Sequence, residues 1–409
     1  MVAEDRFAWH EAARLFAGEQ EIARAAERPS GDGFRALAAS PARDALPALA
    51  QALGASAPFA LSDHPLPESL NCPPGYFLTL TGGASGHPKA VRRSQASWIA
   101  SFLVNAERFG LSPSDSVAVL GQLSHSLSLY AVLEGLHLGL DAHVLAGHPP
   151  RAQAARMVEV GATLLYATPT QLRLLARAAK SELPSVRLVV CGGGALDGAI
   201  RAAVRTLCPQ ATVYEFYGAA ETSFITLSGE ATPAGSVGQP YPGVMLRLLD
   251  DAGRETSGPG EVWVKSPYLF DGYALGDSAD TRWRDGFVTV GEMGELDAAG
   301  NLWIRGRRKR MVQIADQMVF PEAVEAVITA QGYVCVVLPR NDALRGQHLV
   351  AVIEGKADPV EKAAILSACR AELGALVSPR ELLFHPELPL LPSGKTDLRA
   401  LSVWLEGQS

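Results

Sequence analysis

The chain has 409 residues, enough to bury a large hydrophobic core and to divide into two or more domains. Its formal net charge of -7 and its pI near 5.8 argue against a nucleic-acid-binding protein, which normally presents a basic face. The five cysteines form no CxxC pair and no metal-ligand spacing, so we expect buried free thiols, as is typical of a cytoplasmic protein.

The N-terminal segment reads MVAEDRFAWHEAARLFAGEQEIARAAER; it is charged and has a helix-like pattern. It contains no apolar signal-peptide core, and no apolar run of membrane-spanning length lies nearby. We therefore predict helical structure here, and neither export nor a membrane span.

The central part of the chain alternates alanine-rich amphipathic stretches with short β-branched runs. RAQAARMVEVGATLLYATP predicts a helix followed by a strand, and LPSVRLVVCGGGALDGAIRAAVRTLCPQATVYEFYG predicts strand, glycine turn, helix and strand. This order is typical of parallel strands joined by helices. The predicted fold class is therefore α/β, with a large N-terminal domain of parallel α/β sheets over residues 1–309.

The pattern changes at about residue 235. SVGQPYPGVMLRLLDDAGRETSGPGEVWVKSP predicts short strands separated by turns, so we expect a β-rich subdomain over about 235–305. Further on, PEAVEAVITAQ, YVCVVLPR, LVAVIEG and PVEKAAILSACRAELG predict helix, strand, strand and helix. These segments predict a separate small α+β domain over residues 310–409.

Small residues are concentrated in the segment LTLTGGASGHPKAVRRSQASWI. Small residues after a strand let backbone N–H groups converge on phosphate oxygens, and Lys89 would add a point charge. Phosphate is therefore the first candidate for a ligand of this loop, and an ordinary glycine turn is the alternative. A Walker loop is disfavoured, because Pro88 precedes the lysine and Ala90 follows it.

Six segments resemble, in the same order, motifs of the adenylate-forming superfamily of acyl- and aryl-CoA ligases, amino-acid adenylation domains and luciferases. They are TGGASGHPKAV, GQLSHSLSLYAVLEGLHLG, VVCGGGALDGAI, EFYGAAETS, VGEMGELDAAGNLWIRGR and LPLLPSGKTDLRAL. The resemblance covers roughly residues 70–405. Family members usually carry more chain ahead of the phosphate loop, so we expect a shortened N-terminus.

The resemblance implies that a carboxylate attacks the α-phosphate of ATP, giving an acyl-adenylate and pyrophosphate, with Mg²⁺ as the metal. Transfer to a thiol often follows, and CoA or the phosphopantetheine of an acyl carrier protein would be the acceptor. This chemistry needs charge neutralisation and in-line positioning more than a protein nucleophile. The small domain would be mobile and would rotate about a hinge residue at the position of Arg310.

The resemblance also implies a role for individual residues. Lys395, in PSGKTDLRAL, matches the lysine that bridges the carboxylate and the α-phosphate, and a solvated loop lysine is the alternative. Glu221 would hold Mg²⁺. Tyr217 would stack on adenine, and His125 would form a wall of the substrate pocket.

Further implied contacts lie on the nucleotide. Glu292 occupies the place of an aspartate that binds the ribose hydroxyls, and Arg307 would add a second ribose or phosphate contact. The phosphate loop would contribute Thr81, Gly82, Gly83, Ser85, Gly86 and Lys89. The glycines expected to let the backbone approach the nucleotide or the acyl group are Gly192, Gly193, Gly194 and Gly218.

Besides Glu292, the chain departs from the family pattern at three positions. Ala84 and Ala220 replace hydroxyl residues that touch phosphates, and each lost charge-assisted hydrogen bond would weaken ATP binding by roughly 1.5–3 kcal/mol. Asp316 stands where relatives usually have glycine, on a loop that lines the thiol tunnel. Because a carboxylate there would repel CoA phosphates, adenylation is better supported than transfer to free CoA.

The absence of one residue type narrows the range of possible acid substrates. Amino-acid adenylation domains place an aspartate in the stretch matching LSHSLSL, since a buried ammonium needs a counter-charge, and none is present here. We therefore expect an aromatic or unsaturated acid without an α-amine. The acidic surface of a carrier protein would meet the basic run from Arg305 to Arg310, which is otherwise a solvated hairpin edge.

Two other classes of protein remain as alternatives. A degenerate, non-catalytic nucleotide-binding or scaffold protein would account for the lost hydroxyls. An α/β-hydrolase would also alternate strands and helices, but the chain contains no Gly-x-Ser-x-Gly elbow.

Overall fold

A computed structural model describes residues 5–26, 33–67, 69–82, 88–315, 317–342, 346–356, 358–390 and 396–408. Several residues singled out in the sequence lie outside these ranges, so their predicted roles stay predictions. They are Gly83, Ala84, Ser85, Gly86, Asp316 and Lys395.

The described residues form nine α-helices. These are α1 Ala42–Gly54, α2 Gln95–Phe109, α3 Ser126–Leu138, α4 Pro150–Val160, α5 Pro169–Ala178, α6 Gly198–Leu207, α7 Pro321–Ala330, α8 Pro359–Val377 and α9 Leu398–Glu406. Local chemistry sets their ends: the Ser94 side chain accepts a hydrogen bond from the Ser97 N–H at the start of α2, which ends at Gly110 in the left-handed region. None of the described helices is long and apolar enough to cross a membrane.

The same residues form 25 strands. In the first half of the chain these are β1 Leu15–Ala17, β2 Gln20–Ile22, β3 Arg35–Ala38, β4 Phe59–Ser62, β5 Tyr76–Gly82, β6 Pro88–Ser94, β7 Ser116–Val119, β8 Asp141–Val144, β9 Leu164–Ala167 and β10 Leu188–Cys191. The central strands are β11 Thr212–Ala219, β12 Ser223–Ser228, β13 Gln239–Pro240, β14 Met245–Leu249, β15 Gly260–Lys265, β16 Gly272–Leu275, β17 Arg282–Arg284, β18 Phe287–Thr289, β19 Glu292–Leu296 and β20 Leu302–Arg307. The C-terminal strands are β21 Val312–Ile314, β22 Gln317–Val319, β23 Cys335–Asp342, β24 Gly346–Glu354 and β25 Glu381–His385.

The largest sheet has nine strands in the order β13-β12-β11-β10-β9-β7-β8-β1-β2. Its six central strands, from β11 to β1, run parallel. They are apolar on both faces: Leu164 and Tyr166 of β9 pack in one core cluster, and Leu165 packs in the other. Helices therefore cover both sides, as is usual for parallel sheets.

Smaller sheets surround this core. A five-stranded sheet, in the order β16-β6-β5-β4-β3, carries the β5–β6 hairpin. A six-stranded sheet has the path β17-β18-β15-β19-β20 with β14 paired to β15, and the C-terminal part contains the sheets β21-β22 and β23-β24-β25. The predicted fold class is confirmed, including the strand-rich segment after residue 235 and the helix, strand, strand, helix order near the C-terminus.

The prediction of helical structure at the N-terminus is wrong. β1 and β2 form a hairpin around Gly18, which has φ +61°, and β1 adds to the parallel sheet by pairing with β8. Leu15 and Ile22 are buried there. Sheet pairing with a strand far along the chain has overridden the local helical propensity of this segment. The cysteines are free, as expected, and all but the half-buried Cys335 are buried as well.

Candidate active site

The β5–β6 hairpin holds the two ends of the glycine-rich loop. Its register sets Thr81 opposite Lys89, and both residues are half-buried. A parallel bridge between Leu80 and His125 joins the hairpin to the start of α3, where His125 is the exposed N-cap residue. The structure therefore brings Thr81, Lys89 and His125 into one region.

A tight turn between β11 and β12 presents Glu221. The N–H of Thr222 donates to the carbonyl of Ala219 at 3.1 Å, and the Thr222 hydroxyl accepts from the Ala219 N–H at 3.0 Å. At Gly218, an added Cβ would lie 1.8 Å from the carbonyl oxygen of Ser223, so only glycine fits this close approach of two strands. The turn leaves Glu221 half-buried at its tip.

Tyr273 holds one oxygen of the Glu221 carboxylate. The hydroxyl of Tyr273 lies 2.6 Å from Glu221 Oε1 and 2.9 Å from the Thr281 hydroxyl. Burial raises the pKa of the Tyr273 phenol well above its usual value, and the Glu221 charge acts in the same direction. The phenol is therefore a stable hydrogen-bond donor, and within the described residues no donor reaches the second oxygen of Glu221.

Tyr273 also connects Glu221 to the β5–β6 hairpin. The Nζ atom of Lys89 lies 5.7 Å from the centroid of the Tyr273 ring, within the range of a cation–π contact. Sequence reasoning missed Tyr273, because its position depends on the pairing of β16 with β6. A lysine, a tyrosine and a glutamate from three separate segments thus form one constellation.

A buried arginine lies behind the Glu221 turn. Arg93 is 1% exposed, and its guanidinium donates to the Ala220 carbonyl from Nη2 at 2.5 Å and from Nε at 3.1 Å. Nη1 donates to the carbonyl of Tyr268 at 2.7 Å. Burial lowers the pKa of Arg93 to about 9, and the charge of Glu221 opposes this effect. The sequence signal was only an Arg-Arg pair after the loop, and we did not predict a role for it.

The donor set fits a magnesium ion bound together with a polyphosphate. Mg²⁺ in nucleotide sites is usually held by one or two carboxylates, waters and phosphate oxygens, and Glu221 offers one carboxylate oxygen for this purpose. No cluster of three or more His, Cys, Asp or Glu side chains suited to a metal occurs in the described parts of the chain.

Glu292 and Arg307 lie opposite each other across β19 and β20. Their side chains approach to 3.6 Å, with the glutamate mostly buried and the arginine about half exposed. The Glu322 carboxylate, at the start of α7, accepts a hydrogen bond of 3.3 Å from the backbone N–H of Arg307. The two residues expected on the ribose are thus neighbours, at the point where the C-terminal segment begins.

The glycine stretch after β10 borders a packed aromatic ring. A Cβ on Gly192 would lie 2.2 Å from the Phe216 ring, so glycine is required for this ring to pack there. Gly193 has φ +82°, and both it and Gly194 are exposed. Tyr217, the next residue of β11, is half-buried and packs beside the cluster around Ile225.

The basic run from Arg305 to Arg310, which covers the end of β20 and the turn after it, forms ion pairs within the protein. Its ion pairs are Arg305 with Glu295, Arg308 with Asp251 and Glu261, Lys309 with Asp280, and Arg310 with Glu322 and Glu325. These basic side chains therefore already have acidic partners within the protein.

The residues on either side of the segment that carries Lys395 contact each other. Leu390 and Thr396 form an antiparallel bridge, and the Asp397 N–H donates to the Pro389 carbonyl at 2.7 Å. Asp397 also caps α9, since its side chain accepts from the N–H groups of Arg399 and Ala400. The position of Lys395 itself lies outside the described residues.

Comparison with known proteins decides the family. The family model described as AMP-binding enzyme matches residues 20–274, and the AMP-binding enzyme C-terminal domain matches residues 323–395. The chain belongs to the AMP-binding enzyme family. The resemblance to adenylate-forming acyl- and aryl-CoA ligases is thereby confirmed.

Curated relatives are named as CoA ligases. The chain is 31% identical over 340 residues to an uncharacterized acyl-CoA ligase of Bacillus subtilis, covering 81% of this chain and 69% of the relative. It is 30% identical over 342 residues to the 3-hydroxybenzoate-CoA ligase of Aromatoleum, covering 78% of this chain and 64% of that relative. The chain thus spans about two thirds of the length of these relatives.

Solved structures share the fold. The o-succinylbenzoate CoA synthetase of Bacillus subtilis, in complex with its acyl-adenylate intermediate, matches with a TM-score of 0.79 at 19% identity, covering 98% of this chain and 96% of that one. The amide bond synthetase of Marinactinospora thermotolerans matches with a TM-score of 0.74 at 23% identity, covering 92% and 90% of the two chains.

Proposed function

We propose that the protein activates a carboxylic acid with ATP and Mg²⁺, releases pyrophosphate, and transfers the acyl group from the adenylate to the thiol of CoA. The observation that carries this proposal is the constellation of Lys89, Tyr273 and Glu221. It sets one cation and one metal-binding carboxylate beside the loop that the family uses for phosphates. Membership of the AMP-binding enzyme family supports the reaction class.

In this proposal, each residue neutralises or orients charge. Lys89 and Thr81, at the two ends of the hairpin loop, bind the β- and γ-phosphates, and Glu221 would hold Mg²⁺. When bound, the ion would supply positive charge that stabilises the departing pyrophosphate. Lys395, outside the described residues, bridges the acid and the α-phosphate.

The nucleoside is bound by strands on either side of this centre. Tyr217 and the Gly192–194 stretch contact the base and the acyl group, while Glu292 and Arg307 contact the ribose. His125, exposed beside the hairpin, borders the entrance for the acid. The contact of 3.6 Å between Glu292 and Arg307 holds these two side chains next to each other.

The substrate we propose is an aryl acid without an α-amine. Two relatives at 30% identity are named for 3-hydroxybenzoate, and the stretch LSHSLSL lacks the aspartate that would pair with an ammonium. CoA is the favoured acceptor because the relatives are CoA ligases. An acyl carrier protein is the second candidate.

We also propose that residues 1–309 and 310–409 act as a large and a small domain in the cytoplasm. The hinge position, Arg310, belongs to the small domain through its contacts with α7. Its guanidinium lies 2.6 Å from Glu325 and 3.2 Å from Glu322.

The experiment that tests the proposal is a panel of aryl and acyl acids scored by ATP-dependent pyrophosphate release and by hydroxamate formation. CoA and a phosphopantetheinylated carrier protein are then compared as acceptors for any acid that reacts. A non-catalytic nucleotide-binding protein would bind Mg·ATP and release no pyrophosphate with any acid. If an acid reacts and its acyl group is transferred only to the carrier protein, the acyl carrier protein is the acceptor.

A further inference from the structure

Arg93 carries a charge in the protein interior, and its contacts are hydrogen bonds rather than an ion pair with a carboxylate. Its side chain is 1% exposed, and no ion pair is found for it in the described parts of the chain. All of its strong contacts are to backbone carbonyls, those of Ala220 and Tyr268. A buried cation is costly and contributes little to stability that apolar residues would not supply. Its contacts instead fix the backbone next to Glu221.

The contact with Ala220 determines the direction of a peptide group. The Ala220 carbonyl points to the buried guanidinium, and the peptide between Ala220 and Glu221 is trans. In a trans peptide the C=O and N–H point in opposite directions, so the N–H of Glu221 faces away from Arg93. Both residues are partly exposed. No acceptor for this N–H is found among the described residues.

We propose that Arg93 is a positioning residue that turns the backbone N–H of Glu221 toward the phosphates of Mg·ATP. This backbone donor would serve where a hydroxyl side chain is absent at Ala220. The inference rests on the proposed function, since it takes Glu221 as the magnesium ligand.

The peptide is held rigidly enough for this role. The Glu221 carbonyl accepts a hydrogen bond of 2.8 Å from the Phe270 N–H, and Tyr273 holds the Glu221 side chain. The guanidinium also polarises the Ala220 carbonyl, which strengthens the N–H of the same peptide as a donor. A donor fixed before the nucleotide arrives costs no reorganisation when charge develops on the phosphate.

Its neighbour on β6 provides a matched control. Arg92 is half-buried, lies on the opposite face of the strand and pairs with Asp271 at 2.6 Å. We therefore compare Arg93→Gln and Arg93→Lys with Arg92→Gln. Affinities for Mg·ATP and for adenosine are measured by calorimetry, because adenosine has no phosphates.

Arg93→Gln should weaken Mg·ATP binding about tenfold, the effect of losing one good hydrogen bond to a charged group, and leave adenosine affinity within about twofold. Arg93→Lys keeps the charge and part of the hydrogen bonding, so its affinity for Mg·ATP should lie between those of Arg93→Gln and the parent. Arg92→Gln should change neither affinity. Equal losses for Mg·ATP and adenosine, or an unchanged Mg·ATP affinity in Arg93→Gln, would overturn the proposal.

A second measurement on the unaltered protein covers the case in which the Arg93 variants do not fold. In protein labelled with ¹⁵N-glutamate, Mg·ATP should shift the Glu221 amide resonance downfield, and adenosine should not. An unmoved resonance under saturating Mg·ATP overturns the inference. A protein that binds Mg·ATP with this shift but activates no acid retains the inference and loses the proposed function.

Discussion

The hydroxyl of Tyr273 donates a hydrogen bond of 2.6 Å to Glu221 Oε1. The contact joins a strand of the five-stranded sheet to the turn after β11, at the edge of the parallel sheet. It fixes the carboxylate with one oxygen engaged and the other free of protein donors among the described residues. The same ring lies beneath Lys89, so the two groups that we propose for metal and phosphate binding contact one tyrosine.

Removal of this hydroxyl should weaken magnesium binding specifically. In Tyr273→Phe the ring stays beneath Lys89, but Glu221 loses its donor, and we expect the Mg²⁺ concentration for half-maximal pyrophosphate release to rise about tenfold. Thr281→Val, which removes another partner of the Tyr273 hydroxyl, is the matched control and should change the magnesium requirement less than threefold. An unchanged magnesium requirement in Tyr273→Phe would show that the contact does not orient Glu221.

Gly218 should tolerate no side chain. Because an added Cβ would meet the Ser223 carbonyl at 1.8 Å, Gly218→Ala must separate β11 from β12 or deform the Glu221 turn. We expect a loss of about 3 kcal/mol in the free energy of unfolding, measured by urea denaturation, together with loss of activity. Gly198→Ala, at the start of α6 with nothing within 4 Å of the new Cβ, should be neutral or slightly stabilising.

A buried carboxyl should make stability depend on pH. Glu134 is fully buried and accepts hydrogen bonds from Asn105 at 2.7 Å and Tyr166 at 2.6 Å. Burial outweighs these donors and raises its pKa from 4.5 to about 7. The folded state therefore keeps a proton that the unfolded state releases between these values.

Deprotonation of Glu134 should therefore lower the free energy of unfolding by about 3 kcal/mol as the pH rises from 4.5 to about 7. Glu134→Gln should remove that part of the slope, as measured by denaturation at several pH values. Glu230→Gln, at a carboxylate that is 70% exposed, should leave the slope as in the parent. If Glu134→Gln keeps the full pH dependence of the free energy of unfolding, other groups are responsible for that dependence.

Lys395 should act in the transition state rather than in binding. Lys395→Ala is expected to lower the rate of adenylate formation by about 10² or more, while ATP affinity stays nearly intact. Single-turnover pyrophosphate release and calorimetry measure the two quantities. Lys356→Ala, a lysine outside the six family motifs, provides the control. Unchanged turnover in Lys395→Ala would remove this lysine from the mechanism.

Local sequence patterns predicted the elements whose structure is decided locally. The apolar periodicity before and within Leu164–Ala167 indicated α4 and β9, because one side of the helix and both faces of the strand are buried. The N-terminal segment was misread, since Leu15 pairs with Ala142 and no local pattern reports so distant a partner.

The same difference between local patterns and distant contacts explains which residues of the candidate site the sequence predicted and which it missed. Lys89 and Glu221 lie in short motifs, so the sequence alone identified them. Tyr273 and Arg93 act on Glu221 through contacts that form only when β16 pairs with β6 and the Glu221 turn packs on β6. Their residue types are common, and only the tertiary structure distinguishes them.

The central claim is that the protein joins ATP to a carboxylic acid, and acid-dependent pyrophosphate release from Mg·ATP tests it most directly. The measurement uses the full chain, a panel of hydroxybenzoates, other aryl acids and fatty acids, and reactions without acid as blanks. The account predicts release above the blank with at least one aryl acid, and loss of that release in Glu221→Gln. A folded protein that binds Mg·ATP and yet releases no pyrophosphate with any acid would contradict it.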